Sequence, residues 1–125
     1  FAGCSTKELR EIGRLGAEVR VPSGKVVTDE GAAGRELLIV ISGRATCRVR
    51  GRKVATYGPG DFFGEMSLLD HGPRSATVTA DTDLELLVLD GREFRQLVDA
   101  SPGIAWKLLV AMAERLRQAN RSLSN

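Results

Sequence analysis

A chain of 125 residues, 42% of them apolar, is the size of one ordinary domain with enough apolar side chains for a real core, which excludes a disordered tail. Its formal charge of +2 is too small a surplus to favour the nucleic-acid backbone, and its unbroken apolar runs, such as Leu37 to Ile41, are far short of a membrane span. Two cysteines, Cys4 and Cys47, with no CxxC spacing and no secretory signal, point to a reduced, cytoplasmic setting, and with one histidine they are too few for most metal sites.

In chain order, residues 5–16 read as a helix. Ser5 and Glu8 have capping-box spacing, Leu9, Ile12 and Leu15 follow at helical intervals, and Gly16 supplies a stop. From 17 to 57 the pattern changes to short runs between turn residues. Strands are expected at 17–21, 25–29, 36–42, 44–50 and 53–57, broken by Pro22-Ser23-Gly24, Gly31 to Gly34, Ser42-Gly43, Gly51 and Gly58-Pro59-Gly60. A short helix should begin near Gly64 or Glu65. Strands follow at 75–81 and 84–90, split by Asp81-Thr82-Asp83.

Asp90 and Glu93 repeat the capping-box spacing and start a helix to about 99. Ser101-Pro102 starts the last helix, about 102–122, with proline at its first position. Its apolar residues are Ile104, Leu108, Leu109, Met112 and Leu116, beside Ala105 and Ala113. The expected fold is α+β and mainly β: one domain over 1–125, with an eight-stranded β-roll or jelly roll at about 17–90. An N-terminal helix, a short helix near 65 and two C-terminal helices at about 91–122 complete it. The chain begins at Phe1 with no methionine, which reads as a domain excised from a larger protein. Residues after 102 contain no second short helix with a Gly turn, so no helix-turn-helix is expected, and no specific DNA binding by this domain alone.

The stretch from Phe63 to Ala76, FGEMSLLDHGPRSA, carries the chemistry. A carboxylate at Glu65 can accept hydrogen bonds from sugar hydroxyls, while Arg74 offers a planar fork to phosphate oxygens. A helix starting at Gly64 or Glu65 leaves backbone N–H groups unpaired in its first turn, and Gly64 permits close approach. The amides near Met66 and Ser67 would then face phosphate oxygens.

F-G-E-x-S-L followed by P-R-S-A resembles the phosphate-binding cassette of cyclic nucleotide-binding domains. Pro22-Ser23-Gly24-Lys25-Val26-Val27, the segment Glu30 to Gly43, and Leu86-Leu87-Val88-Leu89-Asp90 with the helices after it are similar to the family's flanking elements. The resemblance implies that Glu65 holds the ribose 2′-hydroxyl, Arg74 neutralises the phosphate and Ser75 adds a hydroxyl donor to phosphate or base, with Gly64 and Ala76 also matching.

The resemblance further implies a floor under base and sugar built from strand residues, and Cys47, Val54 and Ala55 occupy similar positions; ordinary core packing explains them equally well. The base lid would come from the last helix. Arg115 and Asn120 are best placed, and Trp106 would stack only if it points inward. A Thr after the cassette arginine goes with guanine in this family; Ser75 here favours cyclic AMP over cyclic GMP. One departure stands out. Where the family commonly has an acid to pair with the cassette arginine, this chain has Arg35, and Glu36 is the alternative if its strand position directs it there.

The chain therefore reads as a non-catalytic sensor whose last helix relays binding to an attached effector or to a second copy; its 104–116 stripe packs on its own domain by default, with pairing to a twin helix as the alternative. The cyclic nucleotide is the expected ligand, with no cofactor, no metal and no membrane contact by this domain. A ligand-free scaffolding domain of the same fold is the rival reading. A cupin-type metalloenzyme is a weaker one, since His71 is the only histidine.

Overall fold

The computed structural model describes residues 12–124, with side chains described for all but 66, 69, 70 and 119–124. Residues 12–15 are helical; the rest of the helix expected at 5–16, with its Ser5–Glu8 cap, lies outside the described residues. Eight strands follow, β1 (Ala17–Val21), β2 (Val26–Thr28), β3 (Leu37–Ser42), β4 (Ala45–Val49), β5 (Arg52–Tyr57), β6 (Phe62–Phe63), β7 (Thr77–Ala80) and β8 (Leu84–Leu89). Helix α1 (Glu65–Asp70) sits between β6 and β7, and α2 (Gly91–Ala100) and α3 (Pro102–Ser124) close the chain.

The strands form two four-stranded antiparallel sheets, ordered β1-β8-β3-β6 and β2-β7-β4-β5. This is the β-roll with helices that the strand spacing predicts. Strand β6 is the element that spacing misses. Its two residues pair with β3, Phe63 opposite Leu38 and Phe62 opposite Ile39, and two residues cannot show a period of two.

The central strands of the first sheet, β3 and β8, feed both of its faces into apolar cores. Along β3, Leu37 and Ile39 join Leu87, Leu89, Leu97, Ile104 and Leu108 in a core under the helices. Leu38 and Val40 turn the other way and join Ala45, Cys47, Val78, Leu84 and Leu86 between the sheets. That is why β3 is a continuous apolar run rather than an alternating one. Phe62 and Phe63 divide in the same manner, one into each core.

The helix boundaries follow from local chemistry. Asp90 caps α2 through a complete capping box: its Oδ1 accepts from the Glu93 amide at 2.8 Å, and Glu93 Oε1 accepts from the Asp90 amide at 2.9 Å. Pro102 opens α3, where its missing N–H costs nothing. The apolar stripe of α3 splits. Ile104 and Leu108 are buried and Met112 packs against them, whereas Leu109 and Leu116 are exposed along with Trp106.

Candidate ligand-binding site

The site grows from one buried arginine. Arg74 is only 7% exposed. Its backbone is clamped to the β2–β3 loop, where its amide donates to the Ala32 carbonyl at 2.9 Å and its carbonyl accepts from the Gly31 amide at 2.8 Å. Its Nη1 donates to the carbonyls of Glu36 (3.0 Å) and Gly64 (3.2 Å), and its Nη2 donates to Glu36 Oε2 at 3.2 Å. A guanidinium has five N–H donors. Among the described residues, three of the five are engaged by these hydrogen bonds.

Two glycines make room for that guanidinium. A Cβ on Gly34 would stand 2.2 Å from Arg74 Nε, and one on Gly64 would stand 2.5 Å from Nη1 and 2.7 Å from the Glu36 carbonyl oxygen. Gly64 also has φ +85°, a left-handed conformation that disfavours side chains. Burial pushes the Arg74 guanidinium below its usual range, while the carboxylates of Glu36 and then Glu65 push it back up. It remains a cation.

Gly64 is also the N-cap of α1, and no side chain caps that helix start. The first-turn amides are thus left to solvent or ligand. Ser67 and Leu68 anchor α1, both buried. Glu65, the first residue of α1, is 17% exposed at its side chain and its Oε1 accepts from Arg115 Nη1 at 3.0 Å. Arg115 Nη2 donates to the Phe62 carbonyl, and its guanidinium lies 4.0 Å above the Phe62 ring and 5.4 Å from the Tyr57 ring centre. An arginine of α3 is thereby brought onto the cassette carboxylate.

A cavity of about 350 Å³ opens among these groups. Its cassette side is Gly64, Glu65, Ser67, Arg74, Ser75 and Ala76. Its strand side is Thr28, Cys47, Val49, Val54, Tyr57, Phe63 and Val78. Ser75 and Ala76 precede β7 and form no part of it, so the strand expected from 75 begins two residues later. Of the three expected floor residues, Cys47 and Val54 line the cavity, while Ala55 packs against the inter-sheet core. The side chains of Met66 and Asn120 are not among those described; both residues lie in helices, α1 and α3. Trp106 does not stack here. It is 68% exposed and borders a separate groove with Asp61, Val110 and Glu114.

Glu36 resolves the departure at Arg35. Arg35 is exposed, and the next residue supplies Arg74 with both a carbonyl and a carboxylate. Tyr57 and Gly34 are site residues that the sequence reading missed. Tyr57 stacks nearly parallel on Phe63, with ring centres 5.2 Å apart. Burial first, then a hydrogen bond with the Cys47 thiol, holds its phenol well above the usual tyrosine value, so it stays protonated at neutral pH. The clue to Gly34 lay in its turn, Gly31 to Gly34; nothing in sequence marks Tyr57.

Residues 18–101 match the family model described as a cyclic nucleotide-binding domain. The chain is 40% identical over 107 residues to the cyclic AMP receptor protein of Thermus thermophilus, covering 82% of this chain and 50% of that protein. It is 39% identical over 115 residues to a cyclic nucleotide-gated potassium channel of Rhizobium etli, covering 92% of this chain and 32% of the channel. Its fold superposes on the crystal structure of the Thermus thermophilus catabolite activator protein with a TM-score of 0.88 and 36% identity, covering 99% of this chain and 61% of that one. The chain thus spans about half the length of the first relative and a third of the second.

Proposed function

The chain belongs to the cyclic nucleotide-binding domain family, a ligand-binding regulatory family and not a catalytic one, and we propose that it senses cyclic AMP through the Arg74–Glu65 cavity. The observation that carries this reading is a buried guanidinium, an uncapped helix start and a carboxylate meeting in one cavity. The phosphate would take N–H groups of Arg74 and the amides near Met66 and Ser67, and the ribose 2′-hydroxyl would donate to Glu65. Ser75 would supply a further hydroxyl. Cyclic AMP is favoured over cyclic GMP because Ser75 stands where a Thr would suit guanine, and the Thermus relative is named for cyclic AMP.

Binding would be relayed through α3. Glu65 is already held by Arg115, so a hydroxyl arriving on Glu65 changes the partners of α3. The ligand shifts α3 only through its preference for one of the two arrangements. The effector is open, since one relative is named a receptor and the other a channel. Trp106, Leu109, Ala113 and Leu116 are exposed at spacings of three, four and three, a seam that fits a twin helix in a homodimer. Among the described residues no helix is long and apolar enough to cross a membrane, and a cytoplasmic setting is the one we propose.

Titration calorimetry tests this reading. Cyclic AMP should give a saturable heat and bind more tightly than cyclic GMP. No heat from either at millimolar concentration would leave a ligand-free scaffolding domain in its place.

A further inference from the structure

The small net charge conceals a local one. The β4–β5 hairpin carries four cations within six positions, Arg48, Arg50, Arg52 and Lys53, all exposed. Among the described residues none of these side chains takes part in an ion pair. Glu30 offsets one charge, since its Oε1 accepts from the Arg50 amide at 2.9 Å. The turn is tight: Arg50 (φ 52°) and Gly51 (φ 80°) are both left-handed, as two-residue hairpin turns require.

The same hairpin forms a wall of the cavity. Cys47, Val49 and Val54 line it, so Arg48 and Arg50 alternate with lining residues at the end of β4, and Arg52 and Lys53 immediately precede one on β5. At about 3.3 Å per residue, the hairpin cations stand roughly 10–15 Å from a ligand in the cavity. That is about one screening length at 0.1 M salt.

Resting on the reading that the cavity takes a singly charged cyclic nucleotide, we propose that Arg48, Arg50, Arg52 and Lys53 form a cationic rim that draws the ligand to the cavity. The rim sets the rate of arrival and takes no part in the grip. Four charges at that distance in water raise the local concentration of a monoanion about two-fold at 0.1 M salt and about five-fold at 0.01 M. Such a field acts on association and leaves dissociation alone.

The test is stopped-flow binding of a fluorescent cyclic AMP to the whole chain at 0.01 and 0.1 M salt. The variant carries Arg48→Gln, Arg50→Gln, Arg52→Gln and Lys53→Gln. Its association rate should fall about five-fold at low salt and about two-fold at 0.1 M, with dissociation unchanged. A second variant with Arg48→Lys, Arg50→Lys and Arg52→Lys keeps the charge and should bind at the original rate. An unchanged association rate in the glutamine variant at low salt overturns the proposal, as does a loss that appears in dissociation or one that the lysine variant shares. A wild-type chain that binds no cyclic nucleotide would remove the proposed function itself, and the rim with it.

Discussion

The two sheets of this domain are built alike and used differently. The sheet β1-β8-β3-β6 packs β3 and β8 into both cores, so its central strands are apolar almost throughout. The sheet β2-β7-β4-β5 buries one face and leaves Arg48, Arg52 and Lys53 on β4 and β5 exposed. The first sheet supplies most of the buried apolar strand residues. The second, with α1 and the loop before β7, walls the cavity. Cys47, Phe63 and Val78 belong to both regions, lining the cavity while packing the inter-sheet core.

Substitutions sharpen the contrast. The largest effects come from one residue on each side of it. Leu86→Ala, in the two-faced sheet, removes a side chain 1% exposed and should lower unfolding free energy by about 2–5 kcal/mol in urea denaturation. Arg74→Ala should instead weaken cyclic AMP binding by about 2–5 kcal/mol in calorimetry, because it unpairs a desolvated phosphate charge. An unchanged dissociation constant would remove Arg74 from the site.

Glu65→Ala should cost about 1.5–3 kcal/mol of cyclic AMP affinity, as loss of a hydrogen bond to a charged group does, but little for the 2′-deoxy analogue. Equal losses for both would leave Glu65 only a partner of Arg115. The smallest effect is expected at Val54→Ala. This side chain lines the cavity yet is 59% exposed, and denaturation should place the variant within about 0.5 kcal/mol of wild type. A loss like that of Leu86→Ala would erase the division between the sheets.

Much of the fold was legible because its signals are local. Asp90 with Glu93, Pro102 and the apolar run of β3 each announce their element within a few residues. Strand β6 was not, since Phe62-Phe63 becomes a strand only by meeting β3. The cassette showed through the residue order from Gly64 to Ala76, which places an uncapped helix start beside an arginine. Its supports did not. Whether Glu36 or Arg35 faces Arg74 depends on how β3 enters the sheet, a matter of tertiary register. The resemblance picked Arg115 out of an arginine-rich helix as a candidate base lid but gave it no partner; the docking of α3 over Phe62 and Tyr57 sets it against Glu65. The same docking turns Trp106 away from the cavity. Tyr57 reaches the site by stacking on Phe63, a partner six residues away on another strand.

The central claim is that one phosphate sits on Arg74 while the adjoining sugar sits on Glu65. A crystal structure of the chain grown with cyclic AMP tests it most directly. The account predicts a phosphate oxygen about 2.7–2.9 Å from an Arg74 nitrogen and the 2′-hydroxyl on the Glu65 carboxylate. A nucleotide bound elsewhere, with Arg74 still engaged only by Glu36 and Gly64, would contradict it.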